Sequence, residues 1–338
     1  MVADSASSDS TALLHRVRRR RKAGWLRAMH LALAAVVVLF EAGCSSVGVE
    51  APASLTSASD APKPLFGAYT YGGVWQGMQP VQQLETLLGR KLDIVQWFMN
   101  WDTPYDQALV RLASADGRRP LITWEPLHQP VQGIAAGTYD GILRAFADGV
   151  RATPGLVYVR PFPEMNGDWE PWSGDPTTLV AAWRHMVNVF RAEGADNVRW
   201  VWSPNVTDQP NAPSNAMERY YPGDAYVDVL ALDGYNWGTT ASWSTWRSFD
   251  QIFARPYARI TALGPQPVWI TEVASSSQGG DKAGWVADML DSTAFPRIQA
   301  LVWFNQNKEA DWRIDNSTAV VQAARVNLGP GSTTVASR

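Results

Sequence analysis

Cysteine occurs once in the 338 residues, at Cys44, so no intrachain disulfide can staple the fold and no cysteine-built zinc or iron–sulfur centre can form. Histidine is almost as scarce. Of four, His15 and His30 fall in the first thirty residues, and His128 and His185 alone are too few for a histidine-built metal centre. Charged residues make up only 18%, against about 25% in ordinary soluble domains, which excludes a disordered polyelectrolyte. Twenty-nine Lys and Arg against 32 Asp and Glu give a net charge of −3, with no basic excess to hold a nucleic-acid backbone. Phosphate loops and nicotinamide or flavin fingerprints are also missing, so no cofactor is expected. What the sequence has in quantity is apolar residues, 46%, and tryptophan, 17 in all. Indoles fill cores, and they are also flat faces against which sugar rings stack. Composition alone does not separate the two uses.

The charge that exists is unevenly placed. Seven of the 29 basic residues lie between Arg16 and Arg27, followed by an apolar run from Leu31 to Phe40 and then Glu41-Ala42-Gly43-Cys44. A basic segment, a short apolar segment and small residues describe an export signal, and the run is shorter than the about 20 residues a membrane-spanning helix needs. The Ala-Gly-Cys ending resembles a bacterial lipoprotein box, with Glu41 where an aliphatic residue is usual. Residues 1–44 are therefore expected to be a lipoprotein-type signal, with Cys44 lipidated and the protein tethered at the membrane or cell surface, plain secretion being the next reading. The polar stretch before Arg16 suggests Val17 or Met29 as the true start. Residues 45–64 are a Ser/Ala/Pro-rich linker, 329–338 a small-residue tail, and 65–328 one catalytic domain, expected to be monomeric.

Within that domain, eight short apolar runs alternate with amphipathic stretches. The expected strands are Leu65–Tyr71, Leu92–Trp101, Pro120–Pro126, Leu156–Glu164, Val198–Asn205, Val227–Tyr235, Pro267–Val273 and Ile298–Asn305; helices are expected at Tyr105–Ala115, Thr177–Glu193 and Ser248–Leu263. Alternation of this kind implies a parallel sheet, and eight units fit a closed α/β (β/α)8 TIM barrel better than a doubly wound sheet, whose glycine-rich first turn is missing. Functional groups in such a barrel sit at the C-terminal ends of the strands. Those ends carry Asp102, Glu125, Glu164, Asn205, Asp233, Tyr235 and Glu272, beside Trp101, Trp124, Trp169, Trp172, Trp237 and Trp303, and His128 follows the third strand. Carboxyls and indoles around one mouth suit a polysaccharide: acids for hydroxyls, rings for C–H faces.

Glycoside hydrolysis needs two carboxyls in different protonation states flanking one bond. Glu164 in Arg160-Pro-Phe-Pro-Glu164-Met-Asn-Gly-Asp-Trp-Glu-Pro-Trp172 ends the fourth strand and Glu272 in Val268-Trp-Ile-Thr-Glu272 ends the seventh, on facing sides of the mouth. Strand alternation places Arg160, Phe162 and Glu164 on one side, with the guanidinium beneath the carboxylates. The run Glu-Met-Asn-Gly-Asp-Trp-Glu-Pro-Trp resembles the acid/base signature of glycoside hydrolase family 26, retaining endo-β-glycanases of the (β/α)8 type. Trp124-Glu-Pro, Trp202-Ser-Pro-Asn205, Asp233-Gly-Tyr235-Asn-Trp237 and Asp311-Trp-Arg-Ile-Asp315 resemble it too, in the same order, over about Phe66 to Asn327. The resemblance implies Glu164 as general acid/base, Glu272 as nucleophile, Tyr235 and Arg160 as its orienting partners, and Trp303 as floor of the subsite holding the attacked sugar. It departs at Pro163, where many members, mannanases especially, carry histidine; Glu125 and His128 are then candidate sugar contacts. The expected substrate is β-1,4-mannan first, mixed-linkage β-1,3-1,4-glucan second and β-1,3-xylan third. A non-catalytic carbohydrate-binding barrel, or a transglycosylase in exopolysaccharide processing, is the alternative.

Overall fold

The computed structural model describes residues 63–329. The expected signal with Cys44, the linker up to residue 62 and the tail from residue 330 lie outside the described residues. Eight strands, β1 (Leu65–Thr70), β2 (Ile94–Asn100), β3 (Arg119–Glu125), β4 (Val157–Pro161), β5 (Val198–Trp202), β6 (Val229–Asn236), β7 (Val268–Ser275) and β8 (Ile298–Asn305), pair in sequence order. Every pairing is parallel and β8 closes on β1, so the sheet is a closed barrel. This is the (β/α)8 architecture read from the sequence. Among the described residues eight α-helices follow or separate the strands: α1 (Gln79–Leu88), α2 (Gln107–Ser114), α3 (Val131–Ala135), α4 (Asp140–Arg151), α5 (Pro176–Ala192), α6 (Phe249–Thr261), α7 (Lys282–Asp291) and α8 (Thr318–Leu328).

The local causes are visible in the residues. β7, Val-Trp-Ile-Thr-Glu-Val-Ala-Ser, is buried along its whole length because helices cover one face and the barrel interior the other. α4 buries Leu143, Phe146, Ala147 and Val150, the three- and four-residue spacing of one helical face. Asp175 caps α5 by accepting from Thr178 N at 3.1 Å, with Pro176 pre-set for the first turn. α6 opens with a reciprocal capping box between Ser248 and Gln251.

The barrel interior is filled in layers. Ile94, Leu121, Val201, Val229, Ala231, Trp269, Ala300 and Val302 form an apolar plug, with Tyr158 laid on Trp269 at 4.7 Å between ring centres. Above it lies a buried polar layer of Gln96, Thr123, Arg160, Ser203, Asp233 and Thr271. Nearest the mouth come Tyr69, Phe98, Tyr235 and Phe304, whose ring centres lie 5.0 to 6.1 Å apart in four contacts.

Two departures from regular strands decide where the carboxyls go. The fourth strand ends at Pro161 rather than at Glu164, because Phe162 (φ 49°) and Glu164 (φ 54°) take left-handed backbone. Alternation therefore stops there, and Phe162 turns outward to Trp172 and Trp183 instead of sharing a face with Arg160 and Glu164. In β7, pairing slips between Ile270 and Glu272 against β6 and between Ile270 and Val273 against β8, so the strand carries one residue more than its neighbours at Thr271–Glu272. Such a bulge re-aims side chains. Here it lets consecutive residues Thr271 and Glu272 both face the interior, where each meets a different partner.

Candidate active site

Arg160 is the centre of the arrangement and is completely buried. Its Nε donates to Thr123 Oγ1 at 3.0 Å, one terminal nitrogen to Asp233 Oδ1 at 2.8 Å, and the other to Glu272 Oε1. Asp233, also fully buried, accepts in addition from Ser203 Oγ at 2.5 Å and Thr271 Oγ1 at 2.7 Å, so each of its oxygens is satisfied. One guanidinium thus sits against two carboxylates. The arrangement fixes the cation in place, since a buried charge without partners is strongly disfavoured. The second oxygen of Glu272 accepts from the Tyr235 hydroxyl. Glu272 therefore presents a carboxylate paired with a cation and oriented at both oxygens, with 8% of the residue open toward the mouth.

Glu164 reaches the mouth by another route. Its amide donates to Ser203 O at 2.9 Å, which ties the turn to the end of β5. Asn166 and Asn205 bond each other in both directions: Asn205 N to Asn166 Oδ1 at 2.7 Å, and Asn166 Nδ2 to Asn205 O at 2.9 Å. The Asn205 amide group then donates to Glu164 Oε1, and the Trp169 indole N–H to Oε2, each at 2.6 Å. Gly167 has to be glycine: a Cβ there would meet the Trp169 ring at 2.5 Å. Trp172 donates its N–H to Pro163 O at 2.8 Å and props the turn from below. Burial pushes the Glu164 carboxyl up to about 8, the Glu272 and Asp233 charges add to it, and the Asn205 and Trp169 donors oppose it.

Further carboxyls ring the cleft. Burial raises Glu125 to about 7 against the pull of Arg160, and holds Glu170 well above the usual carboxylate range with help from Glu125 and Glu164. Asp102 accepts from Gln129 at 2.6 Å and pairs with His128 Nδ1 at 2.6 Å, on the exposed rim. Trp237 is partly buried between Trp312 and Trp243, at 4.9 and 5.1 Å.

Four of the expected sugar-facing indoles lie elsewhere. Trp101 and Trp124 stack on each other at 4.3 Å and are buried, Trp124 also packing on Phe146 of α4. Trp172 is buried as described. Trp303 is fully buried on the outer side of β8, near Trp285 of α7, and its N–H donates to Trp312 O at 2.9 Å. The reason is strand parity: Ala300 and Val302 point into the barrel, so Phe304 does as well and Trp303 does not. The ring that β8 offers to the mouth is Phe304, stacked on Tyr69. Sequence reasoning had passed over Phe304, Tyr69, Phe98, Ser203, Thr271 and Asn166. Parity counted from the apolar plug, which only the folded barrel reveals, picks out the first three.

A parallel barrel holding paired and desolvated carboxyls on opposite sides of its mouth is the architecture of a glycoside hydrolase. Residues 147–285 match the model of glycosyl hydrolase family 26, and the chain belongs to that family. It is 40% identical over 290 residues to Endoglucanase H of Acetivibrio thermocellus, covering 79% of this chain and 31% of that protein. It is 26% identical over 186 residues to mannan endo-1,4-beta-mannosidase A and B of Caldalkalibacillus mannanilyticus, covering 51% of this chain and 33% of that protein. The chain thus spans about a third of the length of these curated relatives. The catalytic domain of the Bacillus sp. JAMB-750 endo-beta-1,4-mannanase superposes with a TM-score of 0.60 at 19% identity, over 78% of this chain and 85% of that one, which shows the shared barrel.

Proposed function

We propose that this barrel is a retaining, endo-acting glycoside hydrolase that cuts β-linked polysaccharide by double displacement. The observation that supports it most is the opposed setting of two carboxyls: Glu272 paired with Arg160 and Tyr235, Glu164 raised to about 8 in a desolvated turn. In the first step a Glu272 oxygen forms a bond to the anomeric carbon as the glycosidic C–O bond breaks, and Glu164 gives its proton to the departing oxygen. In the second, Glu164, now ionised, takes a proton from water; the water oxygen bonds to the anomeric carbon and Glu272 leaves as carboxylate. Two inversions give net retention. Arg160 and Tyr235 hold Glu272 in place through both steps, and Asn205 and Trp169 hold Glu164.

The sign of the pH dependence follows. The acid must carry its proton, so turnover on polysaccharide falls as pH rises through about 8. An activated aryl glycoside needs little protonation and should show a flatter alkaline limb; kcat/KM against pH on both substrates checks this.

For substrate, a mixed-linkage or β-1,4-glucan moves ahead of mannan. The 40% identity to a protein named as an endoglucanase exceeds the 26% to one named as a mannosidase, and Pro163 offers no polar side-chain atom where the resemblance places histidine in many members, mannanases especially. The test is reducing-sugar release from barley β-glucan, galactomannan and β-1,3-xylan, with Glu164→Ala as control. We expect cleavage of β-glucan, and a loss of about 10²–10⁴-fold in the variant that is smaller on an aryl glycoside. Equal losses on both substrates would remove Glu164 as acid. Export with a lipid tether at Cys44 is proposed on the order of basic run, apolar run and Ala-Gly-Cys, and N-terminal sequencing of the mature protein checks it.

A further inference from the structure

Three consecutive carbonyls in the loop after β8 are each captured by a side chain from beneath. Lys282 Nζ, at the start of α7, donates to Asp311 O at 3.1 Å and Arg313 O at 2.7 Å. Between them, Trp312 O accepts from Trp303 Nε1 at 2.9 Å. The Lys282 ammonium also lies 5.8 Å from the Trp303 ring centre, so the two donors hold one another. Lys282 is 3% exposed, and among the described residues its hydrogen bonds go to carbonyls and not to a carboxylate. A buried cation kept only for main-chain oxygens is an expensive way to hold a loop. Burial draws its amine down to about 8, opposed by Asp311 and Asp315 and reinforced by Arg313.

What the loop carries explains the expense. The Trp312 ring is buried, 5.0 Å from Tyr235 and 4.9 Å from Trp237, filling the space behind the phenol. Tyr235 in turn donates to Glu272. We infer that Lys282 and Trp303 are positioning residues for the reaction: they fix the backbone at 311–313, which sets Trp312 against Tyr235 and holds the phenol on the nucleophile. This gives Trp303 a role on the outer side of the barrel in place of the expected sugar floor. It rests on the reading of Glu272 above.

The test is a double-mutant cycle of Lys282→Met and Tyr235→Phe, assayed on barley β-glucan and on an aryl β-glycoside. Lys282→Met should lower kcat about tenfold with KM within about twofold, since only the oriented nucleophile is disturbed. In the Tyr235→Phe background the same change should cost less than about twofold more, because the contact it acts through is already gone. Trp303→Phe, which removes one N–H and keeps a ring, should show the same coupling with a smaller fall. It carries the cycle if Lys282→Met does not fold. Multiplicative losses in the two backgrounds, a KM rise at constant kcat, or unchanged kcat in both single variants would overturn the inference. If Tyr235→Phe alone leaves kcat unchanged, the inference is overturned too, because the contact it acts through does not govern turnover; full activity in Glu272→Ala would instead overturn the reading of Glu272 on which it rests.

Discussion

Glu272→Ala is expected to fold, to bind oligosaccharide, and to lose turnover by a factor on the order of 10⁴ or more on polymer and aryl glycoside alike. Both substrates need a nucleophile, and a better leaving group does not supply one. Folding should survive because Arg160 keeps its contacts with Asp233 and Thr123. The vacated space beside the guanidinium suits a small anion. Azide at high concentration should therefore restore part of the aryl glycoside activity, forming a C–N bond as the aryl oxide leaves and giving the inverted glycosyl azide. Turnover and product configuration, the latter by NMR, decide the matter. Substantial activity without azide, or a retained azide product, would remove Glu272 as nucleophile.

Arg160→Met should cost stability as well as rate. The guanidinium sits between two carboxylates with no exposed surface, and removing one partner of a buried ion pair typically costs about 3–5 kcal/mol. The loss has a pH sign. Without the cation, Asp233 holds its proton more tightly in the folded than in the unfolded protein. Stability of the variant is then retained at low pH and lost as pH rises through the raised folded value. Urea denaturation at pH 5 and pH 8 should show the larger deficit at pH 8, with kcat reduced at least as strongly as in Tyr235→Phe. A variant within about 1 kcal/mol of wild type at both pH values would show that the ion pair is not what holds the polar layer together.

The barrel was legible because eight doubly buried strands read as apolar runs at regular spacing, and β8 was delimited at both ends as observed. That Glu164 and Glu272 both reach the barrel mouth was legible as well, from the order of the strands that precede them, although Glu164 sits in the turn beyond Pro161 rather than at a strand end. Finer placement failed for identifiable reasons. Left-handed backbone at Phe162 and Glu164 and the extra residue at Thr271–Glu272 are invisible to a count of alternation, which assumes unbroken strands. The indoles misled because tryptophan at a strand end has the same composition whether it faces the cleft or the helices. For Trp101, Trp124 and Trp303 only parity relative to the plug separates the two, and the plug is a tertiary fact. Lys282 gave no signal at all, since nothing local marks a lysine whose acceptors are carbonyls about thirty residues away.

The turn that presents Glu164 also bears on how such a chain changes over generations. Left-handed backbone at a residue carrying a side chain costs about 1–2 kcal/mol, and Glu164 carries that burden together with its desolvated carboxyl. Glycine or asparagine at this position is at ease in the same conformation and brings no acid to bury. If Glu164 is the proton donor as proposed, the substitution that abolishes donation is thus among those that relax the fold. Relaxed selection for turnover would then favour such a change at this one position, which leaves the rest of the cleft intact. On the proposed mechanism, a sugar-binding barrel without hydrolysis would be the energetically easier state of this fold, and selection for turnover would be what keeps an acid at this position.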